Sequence, residues 1–497
     1  MIDLTILKQT KGLKGLVTLL TSEDANLVDH ELPFAMMLFS LMAAGGISIY
    51  ESWKRLKSIR FLPTIQKDAK DFVCKVKVLG YDPLTIMYAK AEETKSKLYR
   101  DFLAGYVSCV KSGSNVTDFL KSKLRSIFEL KAAAENRSVE RLGSLVEIYA
   151  VILIVSLCIN ILYVVLSSNG VFEALAFGGL PSSSMVLNLA VLITPIISMM
   201  LILAARSMRR SNLVGLEQPY RLAIVPAIIA LILFMLTFVF SISFIGDILG
   251  YPGLVSLCLL IVSIPPSFSY WRIARLNAAA EEAMPSFVRD VTEARKAGLS
   301  PEKSIIHASK RKGYSHFSKV LELVRNQIVW GIPLRKIFEN IKNRVLSWTV
   351  LVDFLILVEA IEIGGGSTEA FETLAEYSEK SRDIEKNKRE LLKPYIVLAF
   401  IWSILIAFTT SVVATTVTIL GQISMVSLGN RMTLAMQEQI STFSIGIIFQ
   451  CWLSGFFIGQ VTEGSLAAGF KYSAMLVIVA ILSLIISQNI LQGMFTM

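Results

Sequence analysis

The chain has 497 residues, 54% of them hydrophobic and only 18% charged, whereas soluble domains carry about a quarter charged residues. That composition excludes an ordinary soluble enzyme and points to a membrane protein. Lysines and arginines number 49 against 39 acids, a net charge of +10, which suits nucleic acid, an anionic membrane face or an acidic protein partner until the charges are located.

In chain order, residues 1–32 mix Lys8, Lys11 and Lys14 with Leu13, Leu16, Val17 and Leu19. This is the pattern of a segment lying amphipathically on a membrane face, or of an ordinary helix packed on the domain that follows. Residues 33–147 form a first polar, helical domain. Four apolar runs follow within 148–271, at 148–168, 185–205, 222–245 and 254–271. A second polar domain occupies 272–393, and three more runs lie within 394–497, at 395–420, 440–461 and 472–490. Each run approaches or exceeds the roughly 20 helical residues that cross a bilayer, and none contains Asp, Glu, Lys or Arg. Pro265–Pro266 predicts a kink near the end of the fourth run.

Of the 49 basic residues, 47 fall in residues 1–147, 206–221 and 272–393. Cytoplasmic loops carry the excess of Lys and Arg. The N-terminus and both polar domains are therefore expected in the cytoplasm, and the C-terminus, after seven spans of the plasma membrane, outside. The excess charge is then explained by sidedness. With no aromatic interleaving among the basic residues, nucleic acid is not expected as a partner.

Catalytic and metal chemistry find little footing. The five cysteines have no CxxC spacing, the three histidines are far apart, and no HExxH, GxSxG or GxxxxGK[ST] string occurs. No catalytic residue, cofactor or metal ligand is therefore assigned, and the expectation is a protein that is not an enzyme.

The two polar domains repeat one another. Pro33, Gly46, Ser48 and Ser52 match Pro285, Gly298, Ser300 and Ser304 at an offset of 252. Asp101-Phe102-Leu103 matches Asp353-Phe354-Leu355, and Gly113 and Phe119 match Gly365 and Phe371 at the same offset. The copies are parallel. In the second, Met284, Phe287, Val288 and Val291 recur at helical spacing before a break at Ala297–Ser300. Ser300 is a natural N-cap and Pro301 a natural first helical residue. Further helices are expected over 317–329 and 346–363, and from 368 to 393 directly into the fifth span. The fold class is all-α: a polytopic membrane protein with two small helical bundles related by an internal parallel repeat.

The second copy, with AMPSFVRDVTEARKAGLSPEKSI, WGIPLRKIFENI and VEAIEIGGGSTEAFETLAEY, resembles the type II secretion system F domain, the family of platform proteins of secretion systems, type IV pili and the archaeal swimming filament. The elements that carry the likeness are Pro285 opening a helix, the turn at Ala297–Ser300, and the acidic-then-glycine corner Glu359, Glu362, Gly364, Gly365 and Gly366. In the first copy Lys111-Ser112-Gly113-Ser114 stands where that corner would be. Two copies with seven spans resemble the archaeal branch. The resemblance implies a non-enzymatic platform that binds a hexameric secretion ATPase on its cytoplasmic side, passes its motion to pilin-like subunits in the lipid bilayer, and works as a homodimer.

Candidate ATPase-docking residues are Lys54, Arg55, Lys57 and Arg60 in the first domain and Arg295, Lys296, Lys303, Lys310, Arg311 and Lys312 in the second; a solvated basic face is the plainer reading. Lys386, Lys388, Arg389 and Lys393 precede the fifth span, either as lipid anchors or as a lever at the membrane interface. Glu359 and Glu362 suit a cation, a basic group or the cap of a neighbouring helix, beside glycines that break a helix or hinge it. The rival reading is a transporter or channel with parallel repeats. It lacks ionisable groups at membrane depth, and Asn160, Asn188 and Gln450 read as interhelical hydrogen-bonders.

Overall fold

A computed structural model describes residues 11–168, 183–209, 213–239, 243–364, 368–428 and 430–495. Among these the fold is all-α, without strands. The helices are α1 (Lys11–Ala44), α2 (Ile49–Leu56), α3 (Pro63–Leu79), α4 (Pro83–Glu93), α5 (Lys97–Lys111), α6 (Val116–Ser168), α7 (Ser183–Met208) and α8 (Glu217–Val239). They continue as α9 (Ser243–Lys296), α10 (Pro301–Ser309), α11 (Ser318–Val329), α12 (Leu334–Lys342), α13 (Trp348–Gly364), α14 (Thr368–Leu428), α15 (Asn430–Glu463) and α16 (Leu466–Phe495).

The repeat extends through nearly every element. Ala44 and Lys296 end helices, Ile49 and Pro301 begin the next, and Val116 and Thr368 begin the long helices, all at the offset of 252. The local chemistry repeats too. Gly46 and Gly298 turn with φ of 71° and 87°, a conformation that glycine adopts without penalty. Ser48 and Ser300 then cap α2 and α10, accepting from Glu51 N and Lys303 N at 3.4 Å each. Ser96 and Ser347, preceding α5 and α13, donate their hydroxyls to Asp29 and Glu281.

The chain divides into two compact units: residues 1–134 with 277–384, and 135–276 with 385–497. The two polar stretches, expected as separate bundles, thus build one polar unit. Aromatic packing explains it: Phe34 of the first copy meets Trp348 edge-on at 4.2 Å and Tyr377 at 5.5 Å, Phe128 meets Tyr377 at 4.9 Å, and Phe61 stacks on Trp348. Such pairs add about 1 kcal/mol each beyond their buried area. Glu31, buried in α1, accepts from Thr64 N, Ile65 N and the Thr64 hydroxyl, satisfying the start of α3.

Seven helical stretches are long and apolar enough to cross a membrane, and the chain is a multi-pass membrane protein, yet the set differs from the one expected. Leu27–Ala44 joins it. Its Leu32 and Phe34–Phe39 are buried within the polar unit, so it is a core helix there, apolar because it is packed on every side. Where described, residues 11–32 belong to α1, which runs on through Pro33. The expected second span, 185–205, lies within α7 (Ser183–Met208), of which Ile193–Met208 is the apolar stretch with described side chains. Two expected proline effects are corrected as well. Pro285 lies inside α9 rather than opening a helix, and the break in α9 falls at Gly250 (φ 69°, ψ 166°) rather than at Pro265–Pro266. In a long helix the turns on either side hold a proline in place, whereas positive φ ends the α-helical run outright. The third expected run ends its helix at Val239; residues 240–242 lie outside the described ones.

Within the membrane unit, α15 and α16 pack closely, because a side chain on Gly455, Gly459 or Gly469 would meet the neighbouring helix. Helices α7 and α15, equivalent in the repeat, also pack on each other, and equivalent residues touch: Gln450 Nε2 donates to Ser198 Oγ at 2.7 Å.

Candidate functional site

The basic turn of the second copy is built by local capping. Gly298 closes α9, with Leu299 N donating to Ala294 O at 3.2 Å, and Pro301 starts α10. Around it the candidate docking residues separate into two groups. Lys296 pairs with Glu372 at 2.5 Å, Arg295 donates to Leu299 O, and Arg311 pairs with Asp290, which also accepts from the Tyr314 hydroxyl. Lys303, Lys310 and Lys312 are exposed and make no ion pair among the described residues. In the first copy Lys54 pairs with Glu51 at 2.8 Å, Arg55 is half-buried, and Lys57 and Arg60 are exposed.

At the acidic corner the carboxylates meet a basic group. Arg335, on α12, spans both acids: one terminal nitrogen lies 2.8 Å from Glu359 Oε1, and Nε lies 3.0 Å from Glu362 Oε2. Glu359 is buried and its second oxygen has no partner among the described residues. Burial pushes its carboxyl above the ordinary range, opposed by Arg335 and reinforced by Glu362. The corner is therefore a clasp between α12 and α13 that uses the forked guanidinium. Gly364 is the last residue of α13, and Gly365 and Gly366 lie outside the described residues.

The four residues proposed as a lever lie on α14. Lys386, Arg389 and Lys393 are exposed, while Lys388 is buried and pairs with Glu135 at 2.7 Å and Glu385 at 3.9 Å. Lys388 thus joins α14 to α6 in the membrane unit rather than reaching lipid. In the same unit, Glu463 accepts from Tyr270 at 2.6 Å and Tyr472 at 2.7 Å. Gln450 forms the interhelical network expected of it, donating to Tyr149 and Ser198, with Ser454 completing the set. The side chains of Asn160 and Asn188 lie outside the described residues.

Sequence reasoning passed over two residues of this machinery. Arg335 sits within WGIPLRKIFENI and carries no mark of its contact with Glu359. Asp353 is fully buried in α13: Ser378 donates to one oxygen at 2.6 Å, and the other has no partner among the described residues. Burial pushes its carboxyl up to about 7, against the Ser378 hydrogen bond and Lys131. A lone Asp inside VLVDFLILV was the available signal. Among the described residues no group of His, Cys, Asp and Glu is placed to hold a metal. The ion pairs described here join helices to one another.

Residues 287–414, from within α9 into α14, match the family model described as Type II secretion system (T2SS), protein F. An uncharacterized protein of Methanocaldococcus jannaschii is 22% identical over 486 residues, covering 93% of this chain and 80% of that protein. No solved structure matches the chain.

Proposed function

We propose that the protein is the membrane platform of a type IV pilus-like or archaellum-like assembly machine, docking a hexameric secretion ATPase and passing its motion to pilin-like subunits. The observation that carries the reading is the F-domain match on one copy of a repeat whose two polar halves fold as a single unit. In this reading the polar unit faces the cytoplasm, the C-terminus lies outside, and the protein acts without catalysis, as a homodimer.

Lys303, Lys310 and Lys312, with Lys57 and Arg60, supply exposed positive charge for an acidic ATPase surface. Charge complementarity of this kind mainly speeds and orients docking. The continuity of α14 from Thr368 to Leu428 supports its role in carrying movement toward the bilayer. The test is retention of the purified ATPase by the full chain in detergent. Lys310→Glu with Lys312→Glu weakens retention if the reading is right. Absence of any retention, together with loss of uptake of some solute in a deletion strain, favours a transporter.

A further inference from the structure

The basic patches do not account for the most exposed apolar groups of the polar unit. Both copies carry these at the same place, the turn that ends α3 and α11. In the first copy Val78 is 72% exposed, Leu79 59% and Tyr81 56%; in the second, Val329 is 65% and Trp330 75% exposed. Gly80 and Gly331 sit at the apex of each turn with φ of 69° and 73°. At Gly331 the turn is closed by Trp330 N to Asn326 O and Ile332 N to Gln327 O, both 3.0 Å. These are built turns that push apolar side chains into water twice, where isolated exposed residues would need no explanation.

The rim of each tip is basic. Lys75 and Arg325 are held by Asp71 and Glu322, and Arg335 by the acidic corner. Exposed Lys77 beside the first tip and Lys336 beside the second make no ion pair among the described residues. The complement of such a tip is an apolar pocket rimmed by carboxylates. Because one chain displays the tip twice, the matching partner repeats its pocket, which is what a homo-oligomer does. Aromatic anchors in desolvated pockets dominate protein interfaces.

We infer that the two turns, Val78–Tyr81 and Val329–Trp330, are paired anchors that insert into acid-rimmed apolar pockets on an oligomeric protein. The inference rests on the platform reading in taking that oligomer to be the secretion ATPase. Simultaneous engagement raises overall affinity well above that of either tip.

The experiment titrates the full chain in lipid nanodiscs with the purified hexameric secretion ATPase of the same organism. Variants are Leu79→Ser with Tyr81→Ser, Trp330→Ser, and the two combined; all are exposed, so the thermal unfolding of the chain stays unchanged. Each tip variant weakens binding about tenfold, and the combination abolishes it. Wild-type binding that the combined variant leaves intact overturns the anchors while the platform reading stands. If the wild-type chain does not bind the ATPase at all, both fall. Without ATPase, quenching by brominated lipid that disappears in Trp330→Ser marks the tips as membrane anchors and also overturns the inference.

Discussion

Lys388→Met removes a buried ammonium that ties α14 to α6. Lys388 Nζ lies 2.7 Å from Glu135 and 3.9 Å from Glu385, and its side chain is 7% exposed. At an effective dielectric near 20, a 2.7 Å pair is worth about 6 kcal/mol of Coulomb energy. Desolvation of both charges offsets part of that. What the variant loses is larger than the net value of the pair, because Glu135 is left without its cation; about 3–5 kcal/mol is expected. The assay is SDS titration of the purified chain in mixed micelles. Arg125→Met serves as the control: Arg125 lies 3.9 Å from Glu376 with both side chains exposed, and should cost under about 1 kcal/mol. Adding Glu135→Met to Lys388→Met should recover most of the loss, since an apolar pair can replace a buried ion pair. A Lys388→Met cost no greater than that of Arg125→Met refutes the view that this residue is a buried helix–helix link.

Two further predictions concern each unit separately. Asp353 has a folded-state pKa near 7 against 3.8 for an ordinary Asp, so the folded chain holds a proton that the unfolded chain releases. Its contribution is present below about pH 4 and is lost as pH rises to about 7, roughly 4 kcal/mol in all. Asp29, Glu31 and Glu359 are raised in the same direction by burial, so the informative quantity is the difference between wild type and Asp353→Asn. The variant gains on wild type between pH 5 and pH 8 in unfolding midpoints, and parallel curves would contradict the assignment. Gly459→Leu forces apart α15 and α16, where any side chain meets the backbone of Gly469. A loss of about 3 kcal/mol is expected, whereas Ser207→Leu, its repeat equivalent on an exposed face of α7, should stay within about 0.5 kcal/mol in the same SDS titration.

Features set by neighbours in sequence were legible. Ser48 and Ser300 announce helix starts, Pro301 the first turn, and the charge-free runs the spans, because capping and hydropathy depend on residues only a few positions apart. The offset of 252 was legible for the same reason, and it marks whole helices as well as single residues. Long-range packing was not. Apolar Leu27–Ala44 cannot be told by periodicity from a membrane helix; its burial against the second copy through Phe34 and Trp348 decides that. Asp101 and Asp353 occupy equivalent positions, yet Asp101 is exposed and Asp353 buried, since the repeat copies share helices and not surroundings. Likewise Lys386 and Lys388 look alike in sequence, and only the carboxylate of Glu135 on another helix separates a solvent-facing lysine from a buried one.

The central claim is that this chain is the platform on which a pilus-like filament is assembled. Its most direct test is electron microscopy of surface filaments in a deletion strain, with and without the wild-type gene restored. The account predicts that filaments of the associated system disappear on deletion and return with the wild-type chain. Normal filaments in the deletion strain would contradict it.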